Sequence, residues 1–259
     1  MSSHPLDDPA IVSRLFYPRS ANPKHSLISG SKSGTIPVAD EFVLGYRLYV
    51  PEDPTCVILF FHGNGEVASD YDLISQAFST VDAALLVVDY RGYGWSTGSP
   101  LTTTLLTDAE AVLPALPGIL QSTKLDQLPL LVMGRSLGSA PAVHLAYKFP
   151  ERFKGLIIES GFADMPSVFH NLRIPVDLSK VTDLPIGNVQ RMEEIRLPLL
   201  VLHGENDTLL PVENGQKLFD ASPNPGKMLF RIPHAGHNDI LQHSRIYFGA
   251  LARFIQSCL

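Results

Sequence analysis

Leu130-Leu131-Val132-Met133-Gly134-Arg135-Ser136-Leu137-Gly138-Ser139-Ala140-Pro141-Ala142-Val143-His144-Leu145-Ala146 holds three kinds of sequence in succession. An apolar run is followed by a serine bracketed by glycines, and then by a stretch compatible with a helix. The run is apolar throughout rather than alternating, as in a strand covered on both faces. Strand, tight turn and helix in that order form the setting in which a G-x-S-x-G serine is exposed at a strained corner. The glycines have a steric reason. Side chains at 134 and 138 would clash where strand and helix approach, and a sharp turn strains the backbone at the serine itself. Ser136 would then lie at a helix N-terminus, where free N–H groups stabilise negative charge. The pentapeptide alone also fits an ordinary strand-to-helix turn with a capping serine, so the rest of the chain has to decide.

Outward from this stretch the same alternation recurs. Phe42–Val50 reads as an early strand ended by Pro51 and Pro54, followed by buried runs at Val57–Phe61, Leu85–Asp89, Leu156–Glu159, Leu199–His203 and Met228–Ile232. Helical spacing fills the gaps: Ala68–Thr80, Leu101–Leu120 (which Pro114 and Pro117 should kink or divide), Leu137–Phe149, Val212–Ala221 and Asn238–Ser257. Alternating strand and helix predicts an α/β fold, a doubly wound, mostly parallel sheet with helices on both faces and right-handed crossovers. The whole chain, 1–259, is expected to form one domain. Residues 162–197, with prolines at 166, 175 and 185, are too long for a plain connector and are expected to include a minimal lid.

A serine hydroxyl needs a base, usually a histidine oriented by a carboxylate. In this architecture acid and base should follow later strands, in the order Ser, acid, His. Asp207 follows the run Leu199–His203, and His237 follows Met228–Ile232; the three candidates are 71 and 30 residues apart. Glu205 and Glu159 are rivals for the acid, although the turn after the strand favours the later residue, Asp207. His234 is the rival base, and Gly236 favours His237 by suggesting a sharp turn that presents it. His62-Gly63-Asn64-Gly65-Glu66 follows the first buried strand and can offer a backbone N–H to a developing oxyanion. That donor is assigned to Asn64, with Gly65 as fallback; the second is Leu137 N–H, directly after the serine. His62 is expected to support the loop through a hydrogen bond. The loop lacks the lysine and spacing of a phosphate-binding P-loop, and His62 with Glu66 makes too poor a ligand set for a metal. No cofactor and no metal are expected.

Composition narrows the classes further. The 259 residues are 45% hydrophobic and 18% charged, which supports a well-packed core and argues against disorder. The longest strictly apolar runs, Cys56–Phe61 and Ala83–Val88, fall far short of the about 20 residues that a spanning helix needs. A net charge of −6 without a basic patch argues against nucleic acid as a partner. Two cysteines, Cys56 in a buried run and Cys258 at an expected frayed terminus, make neither a disulfide framework nor a metal site. With no secretory or lipidation pattern, the expectation is a soluble, cytoplasmic protein without a stable membrane anchor.

His62–Glu66, Asp89-Tyr90-Arg91-Gly92-Tyr93-Gly94-Trp95-Ser96-Thr97-Gly98, Gly134–Ser139, His203-Gly204 with Asp207, and Gly236–Asp239 together resemble the α/β-hydrolase superfamily. They look closest to its abhydrolase-domain branch, with its Bem46-like and protein depalmitoylase groups. The resemblance covers residues 42–255. It implies a serine hydrolase with Ser136 as nucleophile, Asp207 as acid, His237 as base, and Asn64 and Leu137 as oxyanion donors. For Asp89–Gly98 it implies a scaffolding role, with Tyr93 and Trp95 near the rim of the pocket. The depalmitoylases carry an N-terminal cysteine cluster, whereas this chain has no cysteine before Cys56. The expected activity is therefore hydrolysis of a small-molecule carboxylic ester or thioester. Peptidase or amidase action on the same residues is the alternative, and a non-catalytic ligand-binding protein on a hydrolase scaffold is the reading from another class.

Overall fold

A computed structural model describes residues 4–28, 30–177, 181 and 186–259. Among the described residues eight strands form a single sheet: β1 (Lys32–Pro37), β2 (Val43–Tyr49), β3 (Cys56–Phe61), β4 (Ala83–Val88), β5 (Leu130–Arg135), β6 (Leu156–Glu159), β7 (Leu199–Gly204) and β8 (Met228–Ile232). They lie in the order β1-β2-β4-β3-β5-β6-β7-β8. β2 pairs antiparallel with β1 and β4, and every other pairing is parallel. The expected doubly wound sheet is thus observed, with an antiparallel edge contributed by β1. That strand was not foreseen, because Lys32-Ser33-Gly34-Thr35-Ile36-Pro37 is mostly exposed and buries only Ile36.

The uniformly apolar runs have their predicted meaning. Alternate residues of each central strand enter opposite cores, as the two-residue period of a strand requires. Val57, Leu59 and Phe61 of β3 join one cluster; Ile58 and Phe60 join the other. Helices α2 (Tyr71–Ser79) and α8 (Ser244–Cys258) cover the second cluster with Tyr71, Phe78, Tyr247, Leu251 and Phe254. The first is covered by α1 (Pro9–Leu15), α3 (Thr104–Gln121), α4 (Ser139–Lys148), α5 (Met165–Asn171), α6 (Asn188–Met192) and α7 (Glu213–Ala221).

Three helices refine the reading of the sequence. α3 runs through Pro114 and Pro117 undivided, since each ring removes only one helical N–H and nine buried side chains hold the helix to the sheet. The chain terminus is not frayed: α8 extends to Cys258, whose sulfur is partly buried beside Gly155. The amino-terminal residues include α1, and Leu6, Ile11, Leu15 and Phe16 are buried in the core. Asp8 caps that helix by accepting the Ala10 N–H at 2.8 Å. Of the segment 162–197 expected to hold a lid, residues 178–180 and 182–185 lie outside the described residues; the remainder includes α5 and α6.

The strand order also locates the site. From β3 the chain moves to β4 on one side and then returns to β5 on the other. A crevice opens outside the carboxyl ends of the strands at such a reversal. The loops leaving β3 and β5 are those of His62–Glu66 and Ser136.

Candidate active site

The corner after β5 has the steric form inferred from its glycines. Ser136 has a positive φ of 50°, a strained conformation for a residue with a side chain. A Cβ at Gly134 would come within 2.1 Å of Gly138 O, and one at Gly138 within 2.0 Å of Phe61 O. The first contact would force the elbow open, and the second would push it away from β3.

Three residues far apart in sequence meet at this corner. Ser136 Oγ lies 3.0 Å from His237 Nε2, and His237 Nδ1 lies 2.7 Å from Asp207 Oδ2. All three are buried. A carboxylate can only accept, so Nδ1 carries the ring proton and Nε2 presents its lone pair to the serine hydroxyl. Asp207 Oδ1 is fixed separately, accepting the N–H groups of Leu209 at 3.0 Å and Leu210 at 2.8 Å. His203 packs fully buried against this carboxylate. Its Nε2–H is shared between Leu210 O at 2.7 Å and Asp207 Oδ2 at 3.4 Å. Burial works against ionisation of Asp207, but the hydrogen bonds from His203 and His237 and the Leu210 N–H outweigh it. The carboxyl is held well below the usual carboxylate range.

The rivals stand outside this relay. Glu205 and His234 are exposed. Glu159 is buried, and its Oε2 accepts the Tyr247 hydroxyl at 2.7 Å while Oε1 lies 3.1 Å from Arg135 Nε. The turn that presents His237 is held by Asp239, which accepts the Gly236 N–H at 2.6 Å. The glycine that this turn depends on is Gly204, where a Cβ would sit 2.4 Å from Ala235 O.

The loop after β3 faces the serine. Asn64 and Leu137 line the same cavity as Ser136 and His237. Leu137 is the second residue of a short 3-10 turn and therefore has no helical acceptor for its N–H. The Asn64 N–H shares a peptide plane with Gly63 C=O. That carbonyl accepts from His62 Nδ1 at 2.8 Å and from the Glu66 N–H at 3.2 Å, which sets the plane's orientation. His62 thus supports the loop as expected, and its Nε2 lies 3.3 Å from the buried Asp89. Gly63 N–H donates to Glu66 Oε2 at 2.7 Å. Tyr93 is fully buried and donates to Asn64 Oδ1 at 2.6 Å; it supports the loop and does not reach a rim. Trp95 lies away from the cavity, donating to Gly34 O at 2.9 Å beneath the Arg47 guanidinium.

Arg135, the residue before the serine, was not singled out by its motif. Its buried guanidinium ties three loops together: Nε lies 3.2 Å from Glu66 and 3.1 Å from Glu159, and Nη2 donates to His237 O at 3.0 Å. Burial pushes the Glu159 carboxyl above its usual range in spite of Arg135. The same penalty acts on Glu66, but there Arg135 prevails and the carboxyl lies below its usual range.

The cavity itself has a volume of about 310 Å³. Its wall is mostly apolar, built from Leu15 and Tyr17 of the amino-terminal segment, Phe162, Val168 and Leu172 around α5, and Leu209 and Leu210 after β7. No carboxylate lines it among the described residues. Of the expected lid, the α5 portion therefore supplies one wall.

A mostly parallel, doubly wound sheet with a serine at a glycine-bracketed corner and Asp and His in later loops defines an α/β-hydrolase. Residues 52–182 match the Hydrolase_4 family, described as serine aminopeptidase, S33, and the chain belongs to that family. Protein bem46 of Schizosaccharomyces pombe is 29% identical over 221 residues, covering 81% of this chain and 71% of that protein. Among solved structures, an esterase from Pyrococcus furiosus superposes with a TM-score of 0.72 at 18% identity, covering 88% of this chain and 92% of that one. A monoglyceride lipase from Saccharomyces cerevisiae, in complex with a substrate analogue, gives a TM-score of 0.71 at 16% identity over 91% and 98% of the two chains. At these identities the structural likeness establishes the fold. Among the described residues no helix is long and apolar enough to cross a membrane.

Proposed function

We propose that this chain is a single-domain serine hydrolase that cleaves a carboxylic ester or thioester through an acyl-enzyme on Ser136. The observation that carries this reading is the continuous hydrogen-bond relay Ser136–His237–Asp207 opening on an apolar cavity. His237 Nε2 removes the hydroxyl proton as Oγ attacks the carbonyl carbon. The resulting oxyanion accepts hydrogen bonds from Asn64 N–H and Leu137 N–H, where preorganised donors lower the barrier most. The imidazolium, stabilised by Asp207, then protonates the departing alkoxide or thiolate. Water, deprotonated by the same imidazole, releases the acid and restores the serine.

The cavity wall favours an ester over an aminopeptidase substrate. A free α-ammonium brought into this space would lose water without meeting a carboxylate among the described lining residues. An acyl chain would bury apolar surface against Leu15, Phe162, Val168 and Leu172, at about 25 cal/mol per Å². The volume suits short to medium acyl groups.

The test is turnover of p-nitrophenyl and thioester substrates from acetyl to palmitoyl, alongside aminoacyl amides, by the wild type and Ser136→Ala. The reading requires ester or thioester turnover that peaks below the longest chains and falls on the order of 10⁶-fold in the variant. Preferred hydrolysis of aminoacyl amides, or an active Ser136→Ala protein, would overturn it.

A further inference from the structure

The side chain of Asn64, partly buried, makes three hydrogen bonds. Its Oδ1 accepts from Tyr17 N–H at 2.9 Å and from Tyr93 Oη–H at 2.6 Å, and its Nδ2 donates to Leu15 O at 2.7 Å. One residue further on, Gly65 O accepts from Arg19 Nε at 2.6 Å, and the same guanidinium pairs with Asp70. Asp70 in turn accepts the Val67 N–H at 3.0 Å, so the loop is gripped on both sides of its turn. The gripping segment is itself anchored. Leu15 and Phe16 are core residues, and Gly94 N–H donates to Arg19 O at 2.7 Å while Ala21 N–H donates to Gly94 O at 2.8 Å.

We infer that the amino-terminal segment Leu15–Arg19 is a working part of the active site, with the Asn64 side chain and Arg19 as positioning residues for the Asn64 N–H. This rests on the serine-hydrolase reading above. The physical requirement is distance. A donor stabilises an oxyanion when it lies about 2.7–3.1 Å from the developing charge, and the benefit falls quickly outside that range. His62 and Glu66 orient the Gly63–Asn64 peptide, but orientation does not fix how far the peptide stands from Ser136. The amino-terminal segment fixes that distance by holding the loop from outside, 47 residues away in sequence. Leu15 and Tyr17 also form part of the cavity wall, so the same segment shapes the substrate space.

Asn64→Ala keeps the peptide N–H and removes all three side-chain hydrogen bonds, so it separates positioning from donation. Its kcat should fall about tenfold to hundredfold, less than the ~10²–10³ for outright loss of a donor, with KM changed by less than about threefold. Arg19→Ala, at a half-exposed side chain whose loss spares the core, should lower kcat several-fold in the same way. The two losses should be less than additive, since both loosen one loop. Both should shrink on a matching thionoester, whose sulfur accepts these hydrogen bonds weakly; a merely structural defect would lower both substrates alike. Wild-type turnover with kcat undiminished in both variants, or equal losses on the two substrates, overturns this inference and leaves the hydrolase reading standing. A wild-type protein inert toward every ester overturns both.

Discussion

Replacing Asp207 by Asn asks whether this carboxylate sets the tautomer of His237. The substitution is nearly isosteric, and the structure dictates how the amide must lie. Oδ1 accepts two backbone N–H groups, from Leu209 at 3.0 Å and Leu210 at 2.8 Å, so the amide oxygen has to remain there. The reversed orientation would forfeit two hydrogen bonds worth about 1 kcal/mol each and set N–H against N–H. The amide NH₂ therefore faces His237 Nδ1 in place of the acceptor 2.7 Å away. The ring must then move its proton to Nε2, and Nε2 can no longer accept from Ser136. Asp207 is held well below the usual carboxylate range, so the change also removes a full negative charge from beside the imidazolium. A comparable substitution in a serine protease lowers kcat about 10⁴-fold, which corresponds to about 5 kcal/mol of lost transition-state stabilisation. The assay is steady-state hydrolysis of the best p-nitrophenyl ester, with folding checked by thermal melting. Activity within about tenfold of wild type would refute the reasoning and return Glu159 or Glu205 to the acid role.

Three further outcomes follow from the packing. Arg135→Met leaves Glu66 and Glu159 without their shared cation and should cost about 3–5 kcal/mol in urea unfolding, with part recovered by Arg135→Lys; a loss below about 1 kcal/mol would mean the network is incidental. Gly138→Ala places a Cβ 2.0 Å from Phe61 O and 2.9 Å from His62 O, both backbone atoms, so the corner and the loop after β3 must separate. A displacement near 1 Å should lower kcat about 10²-fold or more, and wild-type kinetics would contradict that geometry. Gly249→Ala, on the exposed face of α8 with nothing within 4 Å of the added Cβ, should instead raise unfolding stability by about 0.5–1 kcal/mol.

The central strands and the three relay residues were legible in the sequence because each answers a local demand. Leu130–Met133 has to be apolar on both faces, and Gly134 and Gly138 have to lack side chains for the corner to close. Asp207 and His237 follow from their places after buried runs. What escaped was set by contacts between distant segments. Nothing in Lys32–Pro37 marks it as a strand until β2 is beside it. Nothing in Leu15, Tyr17 and Arg19 marks them as neighbours of Asn64 and Gly65 until the chain has folded. The residue between Gly134 and Ser136 is free in the motif, so the motif was silent about the Arg135 network. Tyr93 was placed near a rim by resemblance; its hydroxyl instead supports Asn64 from within the core.

The claim that Ser136 is an activated nucleophile is tested most directly by intact mass and peptide mapping after reaction with a fluorophosphonate. The relay predicts one phosphonyl group per chain, on the peptide containing Ser136, absent from Ser136→Ala and strongly slowed in His237→Ala. An unmodified wild-type protein, or a label on any other residue, would contradict it.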